Sequence, residues 1–328
     1  MEPRLVITVA ALLAAAFYAG VAWRGDNGHG EYSHVHALSK VGSLQGNPNL
    51  PRCHDTAGWP KPGWPKGWVE LRLTAWGRCH WVWQNEHIGT SVQKTRSYGP
   101  TRSAQHALAR LGSSAHLVDI GANVGLVTAA ALAIGHNTTS VEGDWENAAL
   151  LRATLALNGW HDAALVNRAV VADAVATPTV SFSRSSSKNR GSGELVADKA
   201  RARNAESVRA VSLDGLLSSG HIPSHVPLVL KLDIQGCEHA ALRGGPAVLS
   251  RTQVVLIELQ AAGRMNQKCG GSAEEIIDLL RRSGFSRVYA DSGFGGGARA
   301  LSWSAVQRRV QQTKVHFDVI FVRASVRM

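Results

Sequence analysis

Four carboxylates stand where a ligand could meet them: Asp119, Glu142, Asp233 and Glu258. Each ends a short strand-like run: HLVD, TTSVE, LVLKLD and VVLIE. Short apolar runs bounded by turn residues read as strands covered on both faces. In sheets of such strands the ligand lies beyond the carboxyl ends. After Asp119 comes a glycine turn, Gly121-Ala122-Asn123-Val124-Gly125. Gly121 lets the backbone bend sharply, and Gly125 lets another group approach the helix start closely. The spacing is not G-x-G-x-x-G, which argues against a dinucleotide and hydride chemistry. An acidic residue ahead of the turn suits a cationic ligand. Glu142, closing the next strand, is placed to accept two ribose hydroxyls. S-adenosylmethionine combines these features, with its ribose, its sulfonium and its ammonium group.

The elements that position these groups follow from periodicity. Helices are predicted over 105–111, 124–134, 146–158, 238–249 and 274–282, the last ended by Gly284. Strands are predicted over 116–120, 139–142, 165–171, 226–234, 254–259 and 315–322. Leu150, Leu151, Leu155 and Leu157 give the helix over 146–158 its apolar contacts. Alternating strands and helices imply a doubly wound α/β fold, with a mostly parallel sheet and helices on both faces.

These pieces resemble the FkbM-type methyltransferases of the class I S-adenosylmethionine-dependent enzymes. The resemblance rests on DIGANVG (119–125), Glu142, KLDIQGCE (231–238), Leu242-Arg243-Gly244, Ile257-Glu258-Leu259 and Val211-Ser212-Leu213-Asp214. It covers about 97–325 and departs from the family pattern at two places. Gln235 stands where the family has an acidic residue, and Glu142-Gly143 where it has Glu-Pro. The resemblance implies a seven-stranded Rossmann-like sheet and S-adenosyl-L-methionine as cofactor. Asp119, Gly121, Asn123, Gly125, Glu142 and Asp144 would hold that cofactor, and Asp233, Lys231 and Glu258 would serve catalysis.

Methyl transfer to a hydroxyl needs positioning and a base. Asp233 is the candidate base or acceptor-orienting group; a hydrogen-bonding role toward cofactor or loop competes with that. Lys231 lies two residues earlier and faces the same side of its strand. A buried lysine needs a partner, and Glu258 on the neighbouring strand is the expected one. Glu238 is placed for a helix-dipole contact or a substrate role. A divalent metal bridged by Asp233 and Glu258 is an option the residues leave open, and no metal is predicted. No histidine pairs with Cys237 in the motif, which disfavours it as a nucleophile.

Residues 5–23 carry no charge and lie between Arg4 and Arg24. A membrane-spanning helix needs roughly 17–25 apolar residues. A retained transmembrane signal anchor over 1–24, a cleaved signal peptide and a buried helix compete. The length of the run favours the anchor. Residues 25–65 read as a flexible stem, 66–96 as a Trp-rich extension packing on the domain, and 97–328 as the methyltransferase domain. This is the layout of a single-pass type II membrane protein facing the Golgi or endoplasmic reticulum lumen; secretion after cleavage is the alternative. The sequon Asn137-Thr138-Thr139 agrees. Trp59, Trp64, Trp68, Trp76, Trp81 and Trp83 form either a platform for sugar rings or a cap that buries its indoles, the commoner use.

The cysteines, Cys53, Cys79, Cys237 and Cys269, form no C-x-x-C pair, against structural zinc. Cys53 and Cys79 flank the Trp-rich stretch and are placed to pair in an oxidising compartment. The net charge of +11 is spread without a dense basic arm, so nucleic acid is not expected. Residues 183–209 form a basic insertion carrying Arg184, Lys188, Arg190, Lys199, Arg201, Arg203 and Arg209. It reads as a solvated loop or as a lid for an anionic acceptor. The expected acceptor is a glycan or another small hydroxyl compound. Two other functions compete: a non-catalytic glycan- or protein-binding descendant of the fold, and a protein or nucleic-acid methyltransferase at a membrane surface.

Overall fold

Runs of Val, Leu and Ile with no exposed face make the central strands. The computed structural model describes residues 53, 69–84, 86–96, 98–184, 193–196, 205–259, 269–291, 299–313 and 316–326. The candidate anchor and most of the stem lie outside these residues. Among the described residues no helix is long and apolar enough to cross a membrane.

A hairpin of β1 (Val69–Leu73) and β2 (Cys79–Trp83) comes first. Helix α1 (His87–Thr95) is started by the Glu86 carboxylate, which accepts from Ile88 and Gly89 N–H. Helix α2 (Gly99–Leu111) carries Pro100 in its first turn, where a missing N–H costs nothing. Then β3 (His116–Ile120), α3 (Leu126–Ala133), β4 (Asn137–Val141), α4 (Trp145–Leu157) and β5 (Ala164–Val166) alternate. A second group follows: β6 (Ala169–Val170), β7 (Thr179–Ser183), β8 (Glu194–Val196), β9 (Ala205–Val211) and α5 (Leu213–Ser218). The chain returns to the main sheet with β10 (Leu228–Leu232), α6 (Glu238–Arg243), α7 (Pro246–Arg251) and β11 (Thr252–Leu259). It closes with α8 (Ala273–Arg282), β12 (Phe285–Ala290), β13 (Ala300–Leu301), α9 (Trp303–Gln312) and β14 (Phe317–Arg323). Ser272 and Ser302 cap α8 and α9, and α8 has acidic residues in its first turn and basic ones in its last, which complements its dipole.

The main sheet runs β13-β12-β14-β11-β10-β3-β4-β5. Strands β11, β10, β3, β4 and β5 pair in parallel, and β14 is antiparallel to both neighbours. From β3 the chain moves outward to β4 and β5, then crosses back to β10. The crevice at that switch, above the tips of β3 and β10, is where such sheets take ligands. One apolar cluster packs β10, β11 and β14 against α5, α6, α8 and α9. A second, on the other face, packs the same strands against α2 and α3.

Four sequence expectations are corrected. Among the described residues the sheet has eight strands rather than seven, because the two-residue β13 pairs with β12. The strand expected over 165–171 breaks at Asn167-Arg168, whose side chain and backbone N–H donate to the Glu142 carbonyl, and β6 leaves to pair with β9. The helix over 238–249 is two helices, because Gly244-Gly245 ends α6 and Pro246 starts α7. The basic insertion contributes β8 and β9 to a sheet of order β6-β9-β7-β8. Residues 185–192 and 197–204 lie outside the described residues.

The Trp-rich extension packs through β2 and α1. Trp81, Trp83, Ile88 and Val92 join Val124, Leu126, Leu150 and Ala153 in one apolar cluster. The Trp83 indole N–H donates to the Asn147 side-chain oxygen at 2.8 Å. Of the six tryptophans, Trp59, Trp64 and Trp68 fall outside the described residues; Trp81 and Trp83 are buried, as a cap requires. Cys53 is joined to Cys79, as the spacing allowed, and Cys237 is joined to Cys269, which the sequence reading did not anticipate. The described chain has no free cysteine.

Candidate functional site

Four adjacent tips, on β10, β3, β4 and β5, open onto one cleft. The glycine turn forms its floor. Gly121 has φ +76°, and a Cβ there would run into the Asp233 carbonyl; Gly125 has φ +88°, and a Cβ there would run into Leu151. Both positions therefore demand glycine twice over, for conformation and for room. Asn123 takes a left-handed φ of 54°, which Asn tolerates better than most residues. Gly121 and Ala122 N–H both donate to the Val141 carbonyl, fixing the turn to β4.

Glu142 stands at the tip of β4, 7% exposed. Its Oε2 accepts from Asn123 N–H at 2.7 Å and its Oε1 from Asp144 N–H at 2.7 Å. Burial pushes its carboxyl up to about 7, against the pull of those amides and of Lys231. Gly121, Asn123 and Glu142 line the cleft together. Asp144 and Gly125 are not among the lining residues: Asp144 caps α4 by accepting from Glu146 and Asn147 N–H, and Gly125 opens α3.

Asp119 does not face the cleft. It is fully buried, accepts from the Thr128 hydroxyl at 2.7 Å, and pairs with Lys231 at 3.2 Å. The lysine's partner is thus Asp119 and not Glu258. Register explains the correction: Lys231 lies opposite Asp119 on β3 and opposite Leu256 on β11. Lys231 Nζ also donates to the Gly121 carbonyl at 2.7 Å and lies 3.8 Å from Asp233. Burial works against its charge, but Asp119, Asp233 and Glu142 outweigh it and raise its pKa. This lysine is a strut beneath the glycine turn, joining the two halves of the site.

Asp233 stands in the cleft wall at the tip of β10. Gln235 Nε2 donates to it at 2.9 Å and to Glu258 at 3.4 Å. Gln235 sits at φ 57°, an uncommon conformation for its type, so its amide is held there at some cost. Glu258 lies behind, 3.5 Å from His316 Nε2. Glu238 accepts from Ile234 and Gly236 N–H and closes the 233–236 loop, and burial raises its carboxyl to about 7. Tyr98 is held above its ordinary pKa by burial and by the charge of Asp233, Asp318 and Glu258. The described residues contain no group of three or more acidic, His or Cys side chains set to hold a metal.

Sequence reasoning missed Asn147, Arg168, Phe182 and Leu195, all in the cleft wall. Asn147 carried a signal, an amide in the first turn of the helix that follows Glu142. The other three belong to segments whose approach to the cleft depends on the second sheet, which has no local signature.

Residues 119–287 match the family model of the methyltransferase FkbM domain, just over half of the chain. The chain belongs to this methyltransferase family. Its methyl donor is S-adenosylmethionine, and the turn, the cleft and Glu142 fit that nucleoside. No curated protein matches the sequence. Solved structures resemble the methyltransferase at low identity and with TM-scores of 0.40 or below. A methyltransferase from Clostridium acetobutylicum that depends on S-adenosylmethionine is 8% identical, covering 72% of this chain and 96% of that one, with a TM-score of 0.40. A magnesium protoporphyrin IX methyltransferase from Synechocystis, with S-adenosylmethionine bound, is 9% identical over 73% and 84%, with a TM-score of 0.37. A precorrin-6y C5,15-methyltransferase from Geobacter metallireducens is 11% identical over 67% and 86%, with a TM-score of 0.34.

Proposed function

We propose that this methyltransferase O-methylates a hydroxyl of a glycan or other small acceptor in the lumen of the secretory pathway. The observation that carries the reading is that Asp233 and Glu142, on tips separated by one strand, line the same cleft. Bound S-adenosylmethionine supplies an electrophilic methyl group on a sulfonium leaving group. Glu142 would accept from the ribose hydroxyls, and the turn at Gly121 and Asn123 would lie against the rest of the nucleoside and its amino-acid tail. Asp233 takes the proton of the acceptor hydroxyl, and Gln235 aims that carboxylate by a hydrogen bond to one oxygen. Lys231 keeps Asp233 beside a positive charge and holds the turn against β10. Asp119 neutralises the lysine and does not touch the ligand.

Gln235, the residue on which a non-catalytic reading rests, retains a working contact with the base. The four paired cysteines support an oxidising compartment, and the apolar run over 5–23 supports anchoring there as a type II protein. Incubating the protein with methyl-labelled donor and extracted glycans tests the reading. Label is expected in a base-stable methyl ether. Label recovered only in protein or nucleic acid, or no transfer to any hydroxyl acceptor, overturns it.

A further inference from the structure

The cleft continues past Glu142. Beyond the tip of β4 its wall is made by Gly143, Arg168, Ala169 and Val170, and by Phe182, Gly193 and Leu195 of the β7–β8 hairpin. Strand order decides what would lie there. The tips run β10, β3, β4, β5, with Asp233 on the first and Glu142 on the third. A donor whose methyl faces Asp233 and whose ribose meets Glu142 must carry its base onward, toward β5 and the hairpin.

Phe182 is set there by the absence of side chains around it. A Cβ at Gly143 would meet its Cε2 at 3.3 Å, and one at Gly193 would meet its Cζ at 2.5 Å. Neither glycine has a positive φ, so what both provide is room for the ring. Two residues on, Arg184 fastens the hairpin. Its guanidinium reaches Glu206 of β9 at 2.9 Å, Glu146 at 3.2 Å and Asp144 at 3.6 Å, and lies 4.8 Å from the centre of the Trp145 ring. Asp144, Trp145 and Glu146 are the cap and first turn of α4, the helix that begins just after Glu142. Arg184 therefore ties the second sheet to the part of the main sheet that would grip the ribose. Its charge is spent on these carboxylates, which removes it from the basic lid expected for an anionic acceptor.

We propose that Phe182 forms one wall of a slot for the adenine of S-adenosylmethionine, and that Arg184 is a positioning residue that latches the hairpin over that slot. The inference rests on the reading of Glu142 as the ribose ligand. A planar ring beside a planar base adds dispersion and quadrupole attraction. The latch works through Phe182 and touches no ligand, so its loss should act on donor affinity and not on the chemical step.

Calorimetry with S-adenosylhomocysteine on the full-length protein tests this. Phe182→Ala should weaken binding by about tenfold, while Phe182→Tyr, which keeps the ring, binds as the natural chain does. Arg184→Gln should weaken it by about threefold to fivefold, and Arg184→Lys should recover part of the loss. Added salt should bring the natural chain toward Arg184→Gln, because the latch is an ion pair with partial exposure. In steady-state assays both losses should appear in the KM for the donor, with kcat at saturating donor retained. Glu142→Ala separates the two readings. If it loses affinity while Phe182→Ala does not, the hairpin proposal falls and the ribose reading stands. If neither loses affinity, both fall. Should Phe182→Ala melt before assay, Phe182→Leu takes its place, and undiminished affinity in that variant overturns the proposal.

Discussion

The tip of β4 and the tips of β10 and β11 hold their carboxylates in opposite ways. On β4, both oxygens of Glu142 are fixed by backbone N–H groups, so the carboxylate is placed by the fold itself. On β10 and β11, Asp233 and Glu258 are bridged by one side-chain amide, that of Gln235. A ligand held by backbone is hard to change without refolding the turn; a site oriented by a side chain changes with one substitution. On the proposed function, the donor half is the fixed part of this enzyme and the acceptor half the adjustable part. Lys231 belongs to both, since it joins Asp119, the Gly121 carbonyl and Asp233.

This contrast breaks if substitutions in one half act on the other. The largest effect is expected from Asp233→Asn, which removes the proposed base: kcat should fall by about 10²–10⁴-fold. Calorimetry should find S-adenosylhomocysteine bound as before, and a parallel loss of donor affinity would erase the division. Next comes Lys231→Met, which leaves Asp119 buried without its counter-charge. Urea denaturation should show a loss of about 3–5 kcal/mol, together with weakened donor binding; unchanged stability would remove the strut. Glu142→Gln should raise the donor Kd by about 10–100-fold, the value of one or two hydrogen bonds to a charged acceptor. It should leave kcat at saturating donor near that of the natural chain.

Acidity sharpens the same division. Two hydroxyls donate better to an ionised Glu142, and its carboxyl titrates at about 7, so donor affinity should rise as pH climbs through neutrality. That rise should vanish in Glu142→Gln. Stability should move the other way. Burial raises Glu142, Glu238 and Asp318 each to about 7, so the fold holds protons that the unfolded chain releases at ordinary carboxyl values. This contribution is complete below those ordinary values and is lost as pH rises through about 7, so Tm should fall over that interval. A Tm that rises instead would refute the burial of these groups as acids. The smallest effect belongs to the extension. Trp83→Phe keeps the apolar packing but loses the bond to Asn147, which should cost about 1 kcal/mol in urea denaturation.

The parallel strands and the glycine turn were legible because their causes are local. Strands β10 and β11 are mostly apolar runs, and Gly121 and Gly125 are required by φ as well as by neighbours. Glu142 and Asp233 were legible because strand ends are where such sheets bind. The pairing of Lys231 was misread because register across β3, β10 and β11 is not written in any one strand. Strand β12 and helix α9 were missed because their polar residues mask their apolar contacts: α9 buries only Val306 and Val310. The second sheet was missed for a related reason. Its strands alternate exposed and half-buried residues, and its pairing joins positions far apart in sequence.

The bond from Cys53 to Cys79 resets a length. Counted along the sequence, 41 residues separate a membrane anchor ending at 24 from the extension at 66, but the cross-link fixes the chain to β2 already at 53. With the cross-link in place, the stretch of sequence between the proposed anchor and the first residue tied to the domain shortens to 25–52.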